Sequence, residues 1–150
     1  MSAGGDLREL YQEVIFDHNR NPRNFHEMSG ASHSADGHNP LCGDQLTVFA
    51  LVRDGVIEDV SFVGHGCAIS TASASLMTEA VKGRPVEEVE ALFQDVHALM
   101  TDSGAPDRDF GKLVALAGVK DFPVRVKCAT LAWHTLHNAL TAFGETAKTE

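Results

Sequence analysis

Asp54-Gly55 separates two segments, residues 45–53 and 56–63, that are rich in β-branched and aromatic side chains. An Asp-Gly pair between such segments is the strongest short-range signal of a β-hairpin, because both turn residues must adopt positive φ angles. The sequence therefore predicts an antiparallel pair of strands in the first half of the chain.

The segments around the hairpin have helical or loop patterns. An apolar stripe over residues 7–15 predicts a first helix, which should end before Pro22 because a residue that precedes proline avoids the helical region. Residues 21–40 predict a loop with one short edge strand near residues 31–35. Later segments predict helices over residues 69–82, 86–100, 109–117 and 128–143, with a polar turn at 101–108 and a connector at 119–127.

Strands early in the chain and helices late predict an α+β fold, in which a small antiparallel sheet of about three strands is covered by helices. A chain of 150 residues is long enough to bury a hydrophobic core without disulfides. We therefore expect a single domain over residues 1–150.

The chain is acidic, with 12 Lys and Arg against 21 Asp and Glu and a net charge of −9. An acidic surface argues against nucleic acids and anionic membranes as partners. No apolar segment of the sequence approaches the length that spans a bilayer, and the N-terminal residues lack the apolar core of a signal peptide. These features predict a cytoplasmic protein.

The three cysteines are odd in number and widely spaced, which argues against a disulfide framework. Cys42 lies in the segment Asn-Pro-Leu-Cys-Gly-Asp at residues 39–44. Pro40 and Gly43 favour a turn there, so that Cys42 and Asp44 can point towards one place. A thiolate and a carboxylate at this spacing suit two ligands of one metal ion.

Cys67 and Cys128 are both predicted to lie where a helix begins. Cys67 follows Gly-His-Gly at residues 64–66, where the preceding strand should end, and the start of a helix stabilises a thiolate. Cys128 is flanked by Arg125 and Lys127. We expect these cations and the helix N-terminus to lower the pKa of Cys128.

The residue pattern alone leaves two interpretations of the cysteines open. They can share a metal or thiol site, since each lies at the boundary of a predicted element, or they can fill the core, where free cysteine is common. His38 and His65 lie close enough to Cys42 and Cys67 in sequence to complete a site. The residues interpreted as solvated or packing are His18, His26, His33, His97, His134 and His137, together with Met77 and Met100 in the core.

Taken together, the segments of this chain resemble the U-type iron–sulfur assembly family, which comprises SufU, IscU and the N-terminal domain of NifU. The resemblance covers nearly the whole chain, and its motifs are specific in combination. They are LYQEVIFDH at residues 10–18, NPRN at 21–24, NPLCGD at 39–44, GCAIS at 66–70, ASAS at 72–75 and RVKCATLAW at 125–133.

The chain is more similar to the SufU branch than to the IscU scaffolds. IscU-like proteins carry a histidine immediately before the third cysteine, where this chain has Lys127. The stretch between Cys67 and Cys128 also resembles SufU in its extra length around residues 101–118. Phe-Pro-Val-Arg at residues 122–125 only faintly matches the proline motif that scaffolds present to an Hsp70-type chaperone.

The resemblance implies a role in sulfur relay rather than a stand-alone enzyme. A PLP-dependent cysteine desulfurase of the SufS type would pass persulfide sulfur to Cys42, after a partner histidine displaces that cysteine from zinc. Other SUF components are also implied as partners. The implied ligands of a tetrahedral Zn²⁺ ion are Cys42, Asp44, Cys67 and Cys128, with Arg125 and Lys127 as supporting cations.

Two other roles stay open at this point. A scaffold would build an Fe–S cluster, either 2Fe–2S or 4Fe–4S, and transfer it to apoproteins, since cysteine thiolates suit such clusters. A purely structural zinc domain would instead unfold when zinc is removed. Zinc hydrolases and deaminases are disfavoured, because the sequence contains neither H-E-x-x-H nor H-x-E with P-C-x-x-C.

Overall fold

The α+β architecture is confirmed in the residues that the computed structural model describes, 3–101, 108–141 and 147–148. None of the described helices combines the length and the apolar character needed to cross a bilayer. The elements in chain order are α1 (Ala3–Arg20), β1 (His33–Asn39), β2 (Asp44–Arg53), β3 (Val56–His65), α2 (Ala68–Val81), α3 (Val86–Thr101), a 3-10 helix (Gly111–Val119), α4 (Pro123–Thr141) and β4 (Ala147–Lys148).

The three longer strands form an antiparallel sheet with β2 in the centre. β2 and β3 are joined by Asp54 and Gly55, whose φ angles of 54° and 77° confirm the predicted hairpin turn. The two-residue strand β4 pairs with β1 in parallel, so that the strand order is β3-β2-β1-β4. The turn between β1 and β2 lies at one end of this sheet, and it contains Cys42.

β1 is longer than the sequence predicts. Residues 33–39 pair with β2 along their whole length, whereas a loop with a short strand near residues 31–35 was expected. The segment is poor in strand-forming residues, but pairing with β2 and burial of every second residue outweigh that local preference. A Cβ at Gly37 would collide with the Thr135 side chain, so glycine at this position allows α4 to pack directly on the strand.

The helices follow the predicted pattern, with two corrections. α4 begins at Pro123, so the predicted connector over residues 119–127 and a helix start at Cys128 are both wrong. Proline suits the first turn of a helix because the amide hydrogen that it lacks would have no partner there. The predicted helix at 109–117 is a 3-10 helix that continues through Gly118, and residues 102–107 of the predicted polar turn lie outside the described residues.

The core lies between the inner face of the sheet and helices α2 and α4. Trp133 of α4 is almost fully buried and donates its Nε1–H to Ser73 Oγ of α2 at 3.2 Å. Met77 and Met100 are buried in the same core, as predicted. The packing of α2 and α4 on the sheet brings Cys67 and Cys128 to the same end of the sheet as Cys42.

Candidate metal centre

The turn between β1 and β2 positions two of the predicted ligands. Asn39 and Asp44 are paired residues at the ends of the two strands, and the Cys42 N–H donates to the Asn39 carbonyl at 3.3 Å. Gly43 follows with a φ angle of 70°, which favours glycine. The turn thus directs the Cys42 thiol and the buried Asp44 carboxylate to one end of the sheet, as the sequence predicts.

Cys67 lies at the start of α2, where the sequence placed it. It is the N-cap residue, and its Sγ accepts a hydrogen bond from the Ser70 N–H at 3.4 Å. The Cys67 N–H donates to Asp44 Oδ1 at 2.8 Å, which joins the start of α2 to the end of the sheet. Cys67 is therefore held by its backbone and its side chain, since the helix end needs partners for its free amides.

Cys128 is buried within α4, and its Sγ lies 3.2 Å from the Cys42 Sγ. Burial raises the pKa of the Cys128 thiol well above its usual range, and the Cys42 and Asp44 side chains raise it further. The prediction of a lowered pKa is therefore wrong: Cys128 lies beyond the first turn of its helix, where the effect of the helix end fades. Metal coordination rather than the helix end would convert such a thiol into a thiolate.

Ligand atoms of Cys42, Asp44 and Cys128 all lie within 4.8 Å of one another. Cys67 Sγ lies 4.0 Å from Asp44 Oδ2, at the edge of this group. Two sulfur atoms on a tetrahedral zinc ion are about 3.8 Å apart at the usual Zn–S bond length, so the Cys42 and Cys128 Sγ atoms, which lie 3.2 Å apart, need to separate by only about 0.6 Å to share an ion. The donor set of three thiols and one carboxylate therefore fits a zinc ion.

Gly66 makes room for the Asp44 carboxylate. A Cβ on Gly66 would lie 2.5 Å from Asp44 Oδ1, closer than a methyl group tolerates, and 3.0 Å from Asp44 Cγ, which is a tight contact. The sequence suggested only that this glycine marks the end of β3. In the structure it also allows Asp44 to accept the Cys67 N–H while facing the thiols.

Asn39, the first residue of the NPLCGD motif, also faces the candidate ligands, which the sequence does not predict. The side chain is fully buried, and its Nδ2 lies 3.4 Å from Asp44 Oδ2 and 3.6 Å from Cys128 Sγ. Its position in the sequence gives little indication of a role at the site. Only the pairing of β1 with β2 shows that the Asn39 side chain faces the cysteines.

The two cations that the sequence predicts to support the site, Arg125 and Lys127, both lie on α4, the helix that carries Cys128. The exposed Arg125 guanidinium stacks on the Phe122 ring at 4.4 Å. No described hydrogen bond or ion pair joins Arg125 to the four predicted ligands among the described residues. Lys127, adjacent to Cys128, is half-buried.

His38 and His65 do not join the group of three ligand atoms in the described part of the chain. Both are cross-strand partners of Gln45, and the three side chains line a groove of about 440 Å³ on the outer face of the sheet. Successive residues of a strand point to opposite faces, so Gln45 faces away from Asp44. The closeness of His38 and His65 to cysteines in the sequence therefore does not bring their side chains to the site, because the sheet lies between these histidines and the cysteines.

Of the histidines interpreted as packing residues, His18 and His134 are the clearest. His18 is buried, and its Nδ1 lies 2.7 Å from Ser75 Oγ. Burial lowers the pKa of His18 and of His134, whose ring contacts Phe93 edge-on at 5.2 Å. Neither residue approaches the cysteines through a described hydrogen bond.

Residues 10–150 match the family model described as the NifU-like N terminal domain. The chain is 40% identical over 141 residues to the zinc-dependent sulfurtransferase SufU of Bacillus subtilis, covering 93% of this chain and 95% of that protein. It is 38% identical over 135 residues to the iron–sulfur cluster assembly scaffold protein IscU of Streptococcus pyogenes, covering 89% and 84%.

A solved structure supports the same relationship. The crystal structure of a candidate iron–sulfur cluster assembly scaffold protein for the SUF system from Fervidobacterium islandicum superposes with a TM-score of 0.83 at 33% identity, covering 89% of this chain and 98% of that one. The family model, the curated relatives and this structure agree over most of the sequence, and the chain therefore belongs to the family of NifU-like N-terminal domains that serve in iron–sulfur cluster assembly.

Proposed function

We propose that this chain is a zinc-dependent sulfur-transfer protein, which accepts persulfide sulfur on Cys42 from a SufS-type cysteine desulfurase. The carrying observation is the convergence of Cys42, Asp44 and Cys128 within 4.8 Å, with Cys67 beside Asp44. The SufU of Bacillus subtilis, 40% identical, bears the name of a zinc-dependent sulfurtransferase. Lys127 in place of the histidine of IscU-like proteins supports the same choice.

The surroundings of the cysteines favour Cys42 as the acceptor. Cys128 is buried, and Cys67 is held by its two hydrogen bonds at the start of α2. Cys42 is half-buried in a short turn next to Leu41, whose side chain is 62% exposed. A partner's persulfide can therefore approach Cys42 with the least rearrangement of the protein.

The chemistry is an exchange between a thiolate and a sulfane sulfur. The Cys42 thiolate attacks the outer sulfur of the desulfurase persulfide, the S–S bond of that persulfide breaks, and its electron pair leaves with the partner's cysteine sulfur. Cys42 then carries the persulfide, and no net oxidation occurs. A bound zinc ion would keep the thiols deprotonated before transfer.

The test combines metal analysis with a desulfurase assay. We expect about one zinc ion per purified chain, as a four-ligand site requires, and stimulation of cysteine turnover by the parent chain. Mass spectrometry of the parent after the reaction should detect a persulfide on Cys42. Cys42→Ala should neither stimulate the desulfurase nor carry a persulfide. His33→Gln, at the far end of β1, is the control and should behave like the parent. Full stimulation by Cys42→Ala would refute the acceptor assignment.

A scaffold role is the second candidate, because the Streptococcus pyogenes relative at 38% identity is named a scaffold protein and the same thiols suit an Fe–S cluster. Anaerobic reconstitution with iron and sulfide, followed by transfer to an apo-acceptor, separates the two roles. A cluster that forms on this chain and transfers faster than free iron and sulfide assemble on the acceptor favours the scaffold.

A further inference from the structure

Asn39 has a buried side chain whose only described hydrogen bonds are directed at the candidate ligands. Its Nδ2 lies 3.4 Å from Asp44 Oδ2 and 3.6 Å from Cys128 Sγ. Its backbone carbonyl accepts the Cys42 N–H at 3.3 Å. One residue thus contacts three of the four residues that converge at the end of the sheet.

The other half of the same amide, the Oδ1 atom, has no partner in the described part of the chain. Asn39 Oδ1 is buried and accepts no hydrogen bond from the described residues. A buried acceptor without a partner destabilises the fold, so a native protein that retains one usually has another reason for it. Charge explains why Nδ2 and not Oδ1 faces Asp44. If the two atoms of the amide were exchanged, Oδ1 would lie against the negatively charged carboxylate.

We propose that Asn39 is a positioning residue of this site: its amide N–H groups hold Asp44 and Cys128 in place, so that Cys42 is the ligand that exchanges. This inference rests on the proposed function. Three thiolates and a carboxylate place four negative charges around one divalent ion, and N–H donors that lie behind the ligands relieve part of that repulsion. Cys42 receives no side-chain hydrogen bond from Asn39, and its described side-chain partner is Cys128.

The test compares two side chains of similar size that lack the amide donors, Asn39→Leu and Asn39→Asp, in the full chain. Zinc transfer to a competing chelator is timed, and the thiolate-to-metal absorption of the cobalt-substituted protein is recorded. We expect both variants to lose zinc about 10- to 100-fold faster, as for other residues that hold metal ligands. We also expect a shifted cobalt spectrum, with Asn39→Asp the more severe because its carboxylate repels Asp44.

Unfolding by urea distinguishes positioning from a merely structural role. Asn39→Leu removes the unpaired Oδ1 together with the donors, so its unfolding midpoint should stay close to that of the parent. Ser61→Ala is the matched control, because the buried Ser61 Oγ also lacks a described partner but lies in β3 away from the cysteines. It should leave zinc release and the cobalt spectrum unchanged.

The outcomes are separable. One outcome refutes this inference alone. In that outcome the parent holds zinc and stimulates the desulfurase through Cys42, but the Asn39 variants release zinc at the parent rate and have the cobalt spectrum of the parent. A parent that holds no zinc refutes the proposed function instead. If Asn39→Leu does not fold, Asn39→Ala, which is smaller and has no side-chain donor, takes its place, and a parent-like cobalt spectrum together with parent-like zinc release in that variant refutes the inference.

Discussion

The Sγ atoms of Cys42 and Cys128 lie 3.2 Å apart, although 86 residues separate them in the chain. The contact joins the turn between β1 and β2 to the interior of α4, and it depends on the packing of that helix across the sheet. It follows that changes in the packing around either element should alter the metal centre, and changes far from both should not.

Gly66→Ala should lower zinc content without replacing any ligand. The added methyl group would lie 2.5 Å from Asp44 Oδ1 and would force the carboxylate away from Cys67, whose N–H it accepts, so that two candidate ligands shift at once. Asp44→Ala differs because it introduces no clash and leaves the three thiols in place. Metal analysis of the purified variant measures the effect. Gly118→Ala is the matched control, because a Cβ there meets no atom within 4 Å. Parent-like zinc content in Gly66→Ala would contradict the prediction.

Asp44→Ala should retain metal but release Cys42 less readily. The three thiols remain, and removing one negative charge weakens the repulsion among the ligands that favours departure of Cys42. The rate of Cys42 alkylation, followed by mass spectrometry on the zinc-loaded protein, and the rate of sulfur transfer should both fall. Unaltered sulfur-transfer rates in the variant would count against this account.

Removal of zinc by a chelator should leave the protein folded. The main apolar cluster, as far as the structure describes it, is formed by residues of the sheet and helices and contains none of the three cysteines. Far-ultraviolet circular dichroism before and after chelation measures the outcome. Loss of the helical signal would instead support a structural zinc domain, whose folding depends on its metal.

The free energy of unfolding should fall as the pH falls below 6.5. Burial lowers the pKa of His134 in the folded protein from its ordinary value of 6.5, and positive charge on His97 and His137 lowers it further. Between 6.5 and the folded-state pKa the unfolded chain binds more protons, so stability is lost with acidification. Urea denaturation at pH 7.5 and 5.5 should show that the free energy of unfolding falls less in His134→Gln than in the parent. An equal fall in the two proteins would argue against His134 as a source of the pH dependence.

Leu131→Ala should destabilise the fold by about 2–5 kcal/mol, the usual range for a fully buried leucine in a packed core. The side chain lies in α4 with none of its surface exposed. Leu41→Ala, at a side chain that is 62% exposed, should change the free energy of unfolding by less than about 0.5 kcal/mol. Urea denaturation of the two variants beside the parent tests the contrast, and similar losses would mean that the core is misassigned.

Local patterns identified most of the elements but misjudged two boundaries that matter for the centre. Residues 33–39 have the composition of a loop, and only pairing with β2 makes them a strand. The sequence pattern predicts a connector at Pro123, yet α4 begins at this residue, so Cys128 lies inside the helix. Each error arose because local preference was weaker than long-range packing.

The sequence by itself determined the hairpin, the succession of strands and helices, and the three short motifs around the cysteines, because turn chemistry and periodicity are local properties. Which polar groups face those cysteines was decided only by tertiary structure. The pleat sends His38 to the outer face and Asn39 to the inner one, although they are neighbours in the chain. The packing of α4 on the sheet then brings Cys128 to Asn39 and Cys42, a distance relationship that no local pattern encodes.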